Sequence, residues 1–135
     1  MMINVLIVGS GGREHAFTWK ASQSKYVEKI FVAPGNAGTT LEPKAKNIDI
    51  SATDIDALIS FSKKESIDLV IVGPEDPLVN GITNAFEKVG INCFGPSSAG
   101  AELEGSKDFA KSFMKKHSIP TASYESFTDA DQAKK

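Results

Sequence analysis

The stretch "INVLIVGSGGREH", residues 3–15, decides how the chain is read. An almost unbroken apolar run from Ile3 to Val8 meets three glycines, and an arginine, a glutamate and a histidine follow at once. Such a run fits a strand covered by helices on both faces. Glycines between that strand and a helical pattern leave backbone N–H groups open at a helix N-terminus, where partial positive charge collects. The loop can hold a dinucleotide, hold a smaller phosphate, or simply turn the chain.

Working outward, short β-rich runs alternate with helical patterns. Residues 12–25 predict a helix with Ala16 and Trp19 on its core face. Residues 29–33 predict a second strand and 45–50 a short third one. Residues 51–66 predict a helix, with Thr53 or Asp54 near its N-cap and late lysines favoured by the helix dipole. "DLVIV" (68–72) reads as the clearest buried strand. Residues 78–90 predict one helix with Leu78, Ile82, Ala85, Phe86 and Val89 on one face, closed by Gly90. "INCF" (91–94) predicts a further strand. Apolar strands alternating with helices predict an α/β fold, a parallel sheet with helices on both faces.

A shift to small polar residues spans 96–106. Beyond it, 107–117 predicts a basic amphipathic helix with Phe109, Ala110, Phe113 and Met114 inward and His117 at its C-terminus. Residues 118–127 predict a Pro-containing turn and a strand. "TDADQAKK" (128–135) starts a helix with no closing signal, so a longer chain is expected.

With 135 residues, 41% hydrophobic and 24% charged, the chain suits one domain, or one domain and the start of another. A net charge of −2 supplies no basic surface for nucleic acid. No apolar run approaches a membrane span, and the first residues lack the basic and small-residue features of a signal peptide. The single cysteine, Cys93, lies in an apolar run and reads as a buried strand thiol. These features fit the cytoplasm. Of 15 cationic residues only Arg13 is arginine. The side chain suited to two-pronged recognition of phosphate or carboxylate therefore stands once, inside the glycine loop.

In a parallel sheet of this kind ligands sit beyond the carboxyl ends of the strands. Four strands are followed by Gly- or Pro-rich openings: "GSGGREH", "PGNAG", "GPEDP" and "GPSS". Turn chemistry accounts for the glycines and prolines; it accounts less well for Arg13, Glu14, His15, Asn36, Glu75 and Asp76 among them. The N–H groups that Gly11 and Gly12 leave open favour an anion by about 0.3–1 kcal/mol when exposed. Glu14 has two readings, a first-turn carboxylate or an acceptor for sugar hydroxyls. His15 reads as a packed or helix-surface residue, not as a catalyst. Pro74 and Pro77 stiffen the loop that carries Glu75, which suits a carboxylate aimed at a ribose or an amine.

The dinucleotide fingerprint G-x-G-x-x-G, with an acid after the second strand, fits poorly. Gly9 and Gly11 match, but Glu14 stands in the third glycine's place and Pro34 where the acid belongs. A stand-alone dinucleotide-binding oxidoreductase domain is the alternative reading.

The stretches "VLIVGSGGREHAFTWKASQS", "VAPGNAGT", "DLVIVGPEDPLVNGI" and "CFGPSSAGAELEGSKDFAKSFMKKHSIPTASY" together resemble the N-terminal part of the phosphoribosylamine–glycine ligases (glycinamide ribonucleotide synthetases) of the ATP-grasp superfamily. The resemblance implies a Rossmann-like pre-ATP-grasp domain over residues 1–104 and the start of an ATP-grasp domain over 105–135. It implies ATP-dependent joining of glycine to 5-phosphoribosylamine through a glycyl phosphate, in purine biosynthesis, with magnesium on the phosphates. It assigns the phosphoribosylamine phosphate to Gly11, Gly12 and Arg13, and the sugar or amine side to Glu14, Asn36 and Glu75. Lys107 matches a cation that contacts nucleotide phosphates. Read alone, Lys107 is a helix-start lysine on a solvated face. The resemblance implies small-molecule partners only (phosphoribosylamine, glycine and ATP). It places the rest of the ATP site and the magnesium carboxylates beyond residue 135. This chain is then expected to hold no catalytic residue, to bind ATP and Mg2+ only as part of the longer protein, and to turn over nothing alone.

Overall fold

The computed structural model describes residues 2–134. Among them, five strands form one sheet: β1 (Ile3–Gly9), β2 (Val27–Pro34), β3 (Ala45–Asn47), β4 (Leu69–Val72) and β5 (Asn92–Phe94). Six helices accompany them: α1 (Gly12–Ser22), α2 (Ile55–Lys64), α3 (Glu75–Val79), α4 (Ile82–Lys88), α5 (Ser98–Gly105) and α6 (Lys107–Lys116). A 3-10 turn covers Thr39–Leu41. Every strand pair is parallel, in the order β3-β2-β1-β4-β5. The α/β class and the parallel sheet agree with the sequence pattern.

Alternation along the strands sorts the core into two layers. Leu6 and Val8 of β1 join Phe31, Val70 and Val72 on one face, against Leu58 of α2, Leu78 of α3, Ile82 and Phe86 of α4, and Ala101 of α5. Val5 and Ile7 join Ile30 and Val32 on the other face, where Phe17 and Ala21 of α1 pack. Helices therefore cover both faces, but unevenly. One helix, α1, serves the second face, and it lies on β1 and β2. Leu69 and Ile71 of β4 are consequently only half-buried, and Phe94 of β5 is 68% exposed. The strand that looks most buried by sequence is fully covered on one side only.

The face of α1 also differs from expectation. Ala16 and Trp19 point to solvent, while Glu14, Thr18 and Ser22 are buried beside Phe17 and Ala21. Two of these small polar side chains are satisfied by the helix itself. Thr18 Oγ1 donates to the Glu14 carbonyl at 2.7 Å and Ser22 Oγ to the Trp19 carbonyl at 2.8 Å. Back-bonded hydroxyls bury at little penalty, so apolar count alone misplaces the face.

Helix α2 starts at Ile55, and Asp54 caps it through its Oδ1, which accepts the Ala57 N–H at 3.0 Å. The helix expected over 78–90 is two. It begins at Glu75 and breaks at Gly81, which takes a left-handed φ of 85° that only glycine adopts without strain. Gly90, at φ 75°, closes α4 as expected. The small polar run 96–106 holds an unforeseen helix, α5, capped by Ser97, whose buried contact is Ala101.

Helix α6 forms, and His117 is its C-cap, but none of its residues is buried; Phe109 and Phe113 are 37% and 36% exposed. The strand expected in 118–127 is absent because no neighbouring strand offers a ladder. Thr121 and Ala122 instead accept hydrogen bonds from Lys111 Nζ at 2.6 and 3.2 Å. Residues 128–134 form turns, not a helix, and Lys135 lies outside the described residues. No helix among them is long and apolar enough to cross a membrane.

Phe86 is fully buried in the larger core layer. Phe86→Ala is expected to lower stability by about 3–5 kcal/mol, measured by urea unfolding of the chain.

Candidate functional site

Strand order reverses between β1 and β4: β2 and β3 lie on one side of β1, β4 and β5 on the other. The crevice at the carboxyl ends of these two strands is the topological switch point, where ligands sit in open parallel sheets. The glycine loop after β1 and the loop after β4 meet there. The Gly73 N–H donates to the Val8 carbonyl at 3.1 Å, and Arg13 Nη1 donates to the Gly73 carbonyl.

Glu14 lies inside this junction at 4% exposure. Its Oε2 accepts the Gly11 N–H at 2.6 Å. This is the return half of a capping box, in which a side chain at the third helical position satisfies the N-cap N–H. The surrounding glycines make room for it. A Cβ on Gly9 would come within 2.7 Å of the Glu14 side-chain carbons, and one on Gly73 would overlap Oε1 and lie 2.6 Å from Cδ. The glycines that suggest a phosphate cradle therefore hold, in part, the protein's own carboxylate. That carboxylate uses the Gly11 N–H. Gly12 and Arg13, at the first two positions of α1, have no intrahelical acceptor, and the space beside Gly12 is open.

Asn36, in the loop after β2, binds that loop to the glycine loop. Its Nδ2 donates to the Ser10 and Gly11 carbonyls at 2.9 and 3.2 Å. Its Oδ1 accepts the Gly38 and Thr39 N–H groups at 2.8 and 3.1 Å. Both amide protons and the carbonyl oxygen are thus engaged within the chain. Asn47 of β3 supports the same loop by donating to the Asn36 carbonyl at 2.8 Å.

The remaining sequence-derived positions spread along the edge. Glu75 is exposed at the start of α3 and lines a cleft of about 370 Å³ with Leu78, Pro96, Gly100 and Leu103, so the loops after β4 and β5 share that cleft. Gly12 lines a different one, of about 340 Å³, with His15, Ala16, Trp19 and Glu42. Lys107 is exposed at the first position of α6, directly after the cap residue Ser106. Gly11, Gly12, Arg13, Glu14 and Asn36 come together; Glu75 and Lys107 stand apart from them.

Two partners escaped the sequence reading. Gly73 looks like an ordinary turn glycine, and nothing local reports that a carboxylate fills the space beside it. Glu42 pairs with His15, Nε2 to Oε1 at 2.8 Å, across 27 residues. Cys93 is half-buried, not fully buried. Desolvation pushes its thiol above the ordinary range, with the Thr83 hydroxyl at 3.8 Å opposing and Glu87 adding to the rise. A thiol so shifted is a poor nucleophile at neutral pH.

A doubly wound parallel sheet with a helix-opening glycine loop at its switch point gives the protein the architecture of the Rossmann-like α/β domains. The profile of the phosphoribosylglycinamide synthetase N domain matches residues 3–104, and the chain belongs to that family. The phosphoribosylamine–glycine ligase of Vibrio vulnificus is 58% identical over 131 residues, covering 97% of this chain and 30% of that protein. The Escherichia coli K12 protein of that name is 55% identical with the same coverage. The chain thus spans about a third of the length of the curated relatives it matches. A crystal structure of the Thermotoga maritima phosphoribosylamine–glycine ligase is 32% identical with a TM-score of 0.60, over 91% of this chain and 27% of that one. The biotin carboxylase domain of Hydrogenobacter thermophilus 2-oxoglutarate carboxylase, solved with MgADP and bicarbonate, is 19% identical with a TM-score of 0.68, over 99% and 32%. At that identity the likeness is one of fold.

Gly73→Ala is expected to drive Glu14 from its pocket and to lower stability by about 1–3 kcal/mol. In a Glu14→Ala background the same change should lower it by less than about half as much, a coupling read from urea unfolding of the four variants. Cys93 is expected to alkylate slowly at pH 7–8, its rate rising only above the usual thiol range, as iodoacetamide labelling against pH will report.

Proposed function

We propose that this chain is the N-terminal portion of an ATP-dependent ligase that joins glycine to 5-phosphoribosylamine, and that this portion holds the phosphoribosylamine. The observation that carries the reading is the match of residues 3–104 to the N domain of that family, with relatives of that name at 58% identity. In the reaction, the glycine carboxylate attacks the terminal phosphorus of ATP, forming glycyl phosphate and releasing ADP. The phosphoribosylamine nitrogen then attacks the acyl carbon and phosphate departs, leaving the amide of glycinamide ribonucleotide. The reaction is a step of purine biosynthesis, for which the cytoplasm is the location we assign.

The open N–H groups of Gly12 and Arg13 suit the sugar's phosphate, at the positive end of α1. Gly11 contributes through the loop conformation, since its own N–H is bonded to Glu14. Asn36 holds the loop from its other side. The free face of the Glu14 carboxylate and the exposed Glu75 are assigned to the sugar or amine end. Lys107 is assigned to the ATP phosphates and the following domain. The boundary near residue 104 is supported by the end of the family match and by an α6 with nothing buried.

Among the described residues no group of three or more His, Cys, Asp or Glu side chains could hold a metal ion. Magnesium is assigned to the longer protein, and no step here runs through it. A stand-alone dinucleotide domain is disfavoured by Glu14 in the place of the fingerprint's third glycine and by Pro34 where its acid belongs.

Calorimetric titration of the chain with glycinamide ribonucleotide is expected to show weak, saturable binding. Arg13→Lys should weaken it by about tenfold, because an ammonium cannot both hold the Gly73 carbonyl and offer further donors to the phosphate as a guanidinium can. No heat from a folded sample, or a melting temperature raised by NAD and not by the ribonucleotide, would overturn the reading.

A further inference from the structure

We infer that His15 and Glu42 form a clamp that sets the spacing between the glycine loop and the loop after β2, which makes them positioning residues for the sugar-phosphate site; the inference rests on the reading above. His15 is the fourth residue of α1, so its position is rigidly tied to Gly12 and Arg13. Its Nε2 donates to Glu42 Oε1 at 2.8 Å, just past the 3-10 turn. Among the described residues the other contact between a basic side chain and a carboxylate, Lys134 with Asp131, lies within one exposed turn, so this is the one that joins segments distant in sequence.

The ring also makes a second contact with the same loop. A Cβ on Gly38 would lie 2.6 Å from His15 Cε1 and Nδ1, so the imidazole rests directly against the Gly38 backbone and a side chain there would push the ring away. Gly38 in turn donates to Asn36 Oδ1, and Asn36 Nδ2 returns to the Ser10 and Gly11 carbonyls. The contacts close a ring: glycine loop, α1, His15, Glu42, Gly38, Asn36 and back. Asn36 holds one side of this ring and the clamp holds the other. The open donor Gly12 lines the same cleft as the clamp.

The clamp's burial suits local positioning more than global stability. The His15 side chain is 39% exposed and that of Glu42 16%. A pair this accessible contributes little to unfolding free energy. It can still govern local opening, which is set by the contacts of the segment itself.

The test uses His15→Leu, which keeps bulk and loses the donor, and His15→Gln, whose amide nitrogen reaches near the Nε2 position. Glu42→Leu approaches the pair from the other side. The first readout is amide hydrogen exchange in residues 9–15 and 34–42 of the free chain. The second is calorimetric affinity for glycinamide ribonucleotide. His15→Leu and Glu42→Leu are each expected to speed exchange in the distant loop by about threefold or more at an unchanged urea midpoint. Each should weaken the ribonucleotide by about five- to tenfold, with no further loss in the double variant. His15→Gln should restore both to within about twofold of wild type. Unchanged exchange in both Leu variants, or a Gln variant as impaired as Leu, overturns the clamp. If the wild type gives no heat, the ligand reading falls, while exchange still decides whether the clamp exists.

Discussion

The arrangement depends on one buried carboxylate. Glu14 sits at the junction of β1, β4 and the N-terminus of α1, with its Oε2 on the Gly11 N–H and its stem against Gly9 and Gly73. A carboxylate at 4% exposure needs hydrogen bonds and favourable charge to remain there. The helix dipole and the cap N–H supply them, and Arg13 reaches over the same junction to the Gly73 carbonyl. The two loops at the switch point are thereby locked to each other before any ligand arrives. Once Glu14 occupies that space, a side chain at Gly9 or Gly73 would displace it.

The other half of the edge is held by polar contacts of a different kind. Asn36 uses its whole amide to join the loop after β2 to the glycine loop, and Asn47 and Thr39 brace it from β3 and the 3-10 turn. The site is thus a set of loops fastened from both sides of β1, with the Gly12 and Arg13 N–H groups left open at its centre. Glu75, on the far side of β4, shares a cleft with the loop after β5, which gives the edge a second recess.

Much of the fold is legible in the chain because strand and helix periodicity report burial directly. Ile3–Val8, residues 29–33 and "DLVIV" are strands, and Asp54 caps α2. Legibility fails where burial is decided by a neighbour. Thr18 and Ser22 lie inward because their hydroxyls bond the helix's own carbonyls, while Trp19 is left outside. The apolar side of α6 and the run 118–127 read as core and strand, yet none of their residues is buried, and they meet one another through exposed side chains. In the site, Gly11, Gly12 and Arg13 are readable from their own loop, whereas Glu42 and Gly73 take their roles from residues 27 and 59 positions away in sequence.

The sequence by itself determined the parallel α/β class, the edge at which the polar loops gather, and the failure of the dinucleotide fingerprint. Those follow from short-range rules: periodicity, turn residues, and a glutamate where a glycine is required. Tertiary structure alone decided which way Glu14 points, that Asn36 is engaged by the loops, and that His15 meets Glu42. Each of these depends on what stands across the crevice, and the strand order β3-β2-β1-β4-β5 brings those groups together only once the sheet has formed. The first-turn carboxylate and the candidate ligand group are the same residue, Glu14: its Oε2 caps the helix, and only its remaining face can turn outward.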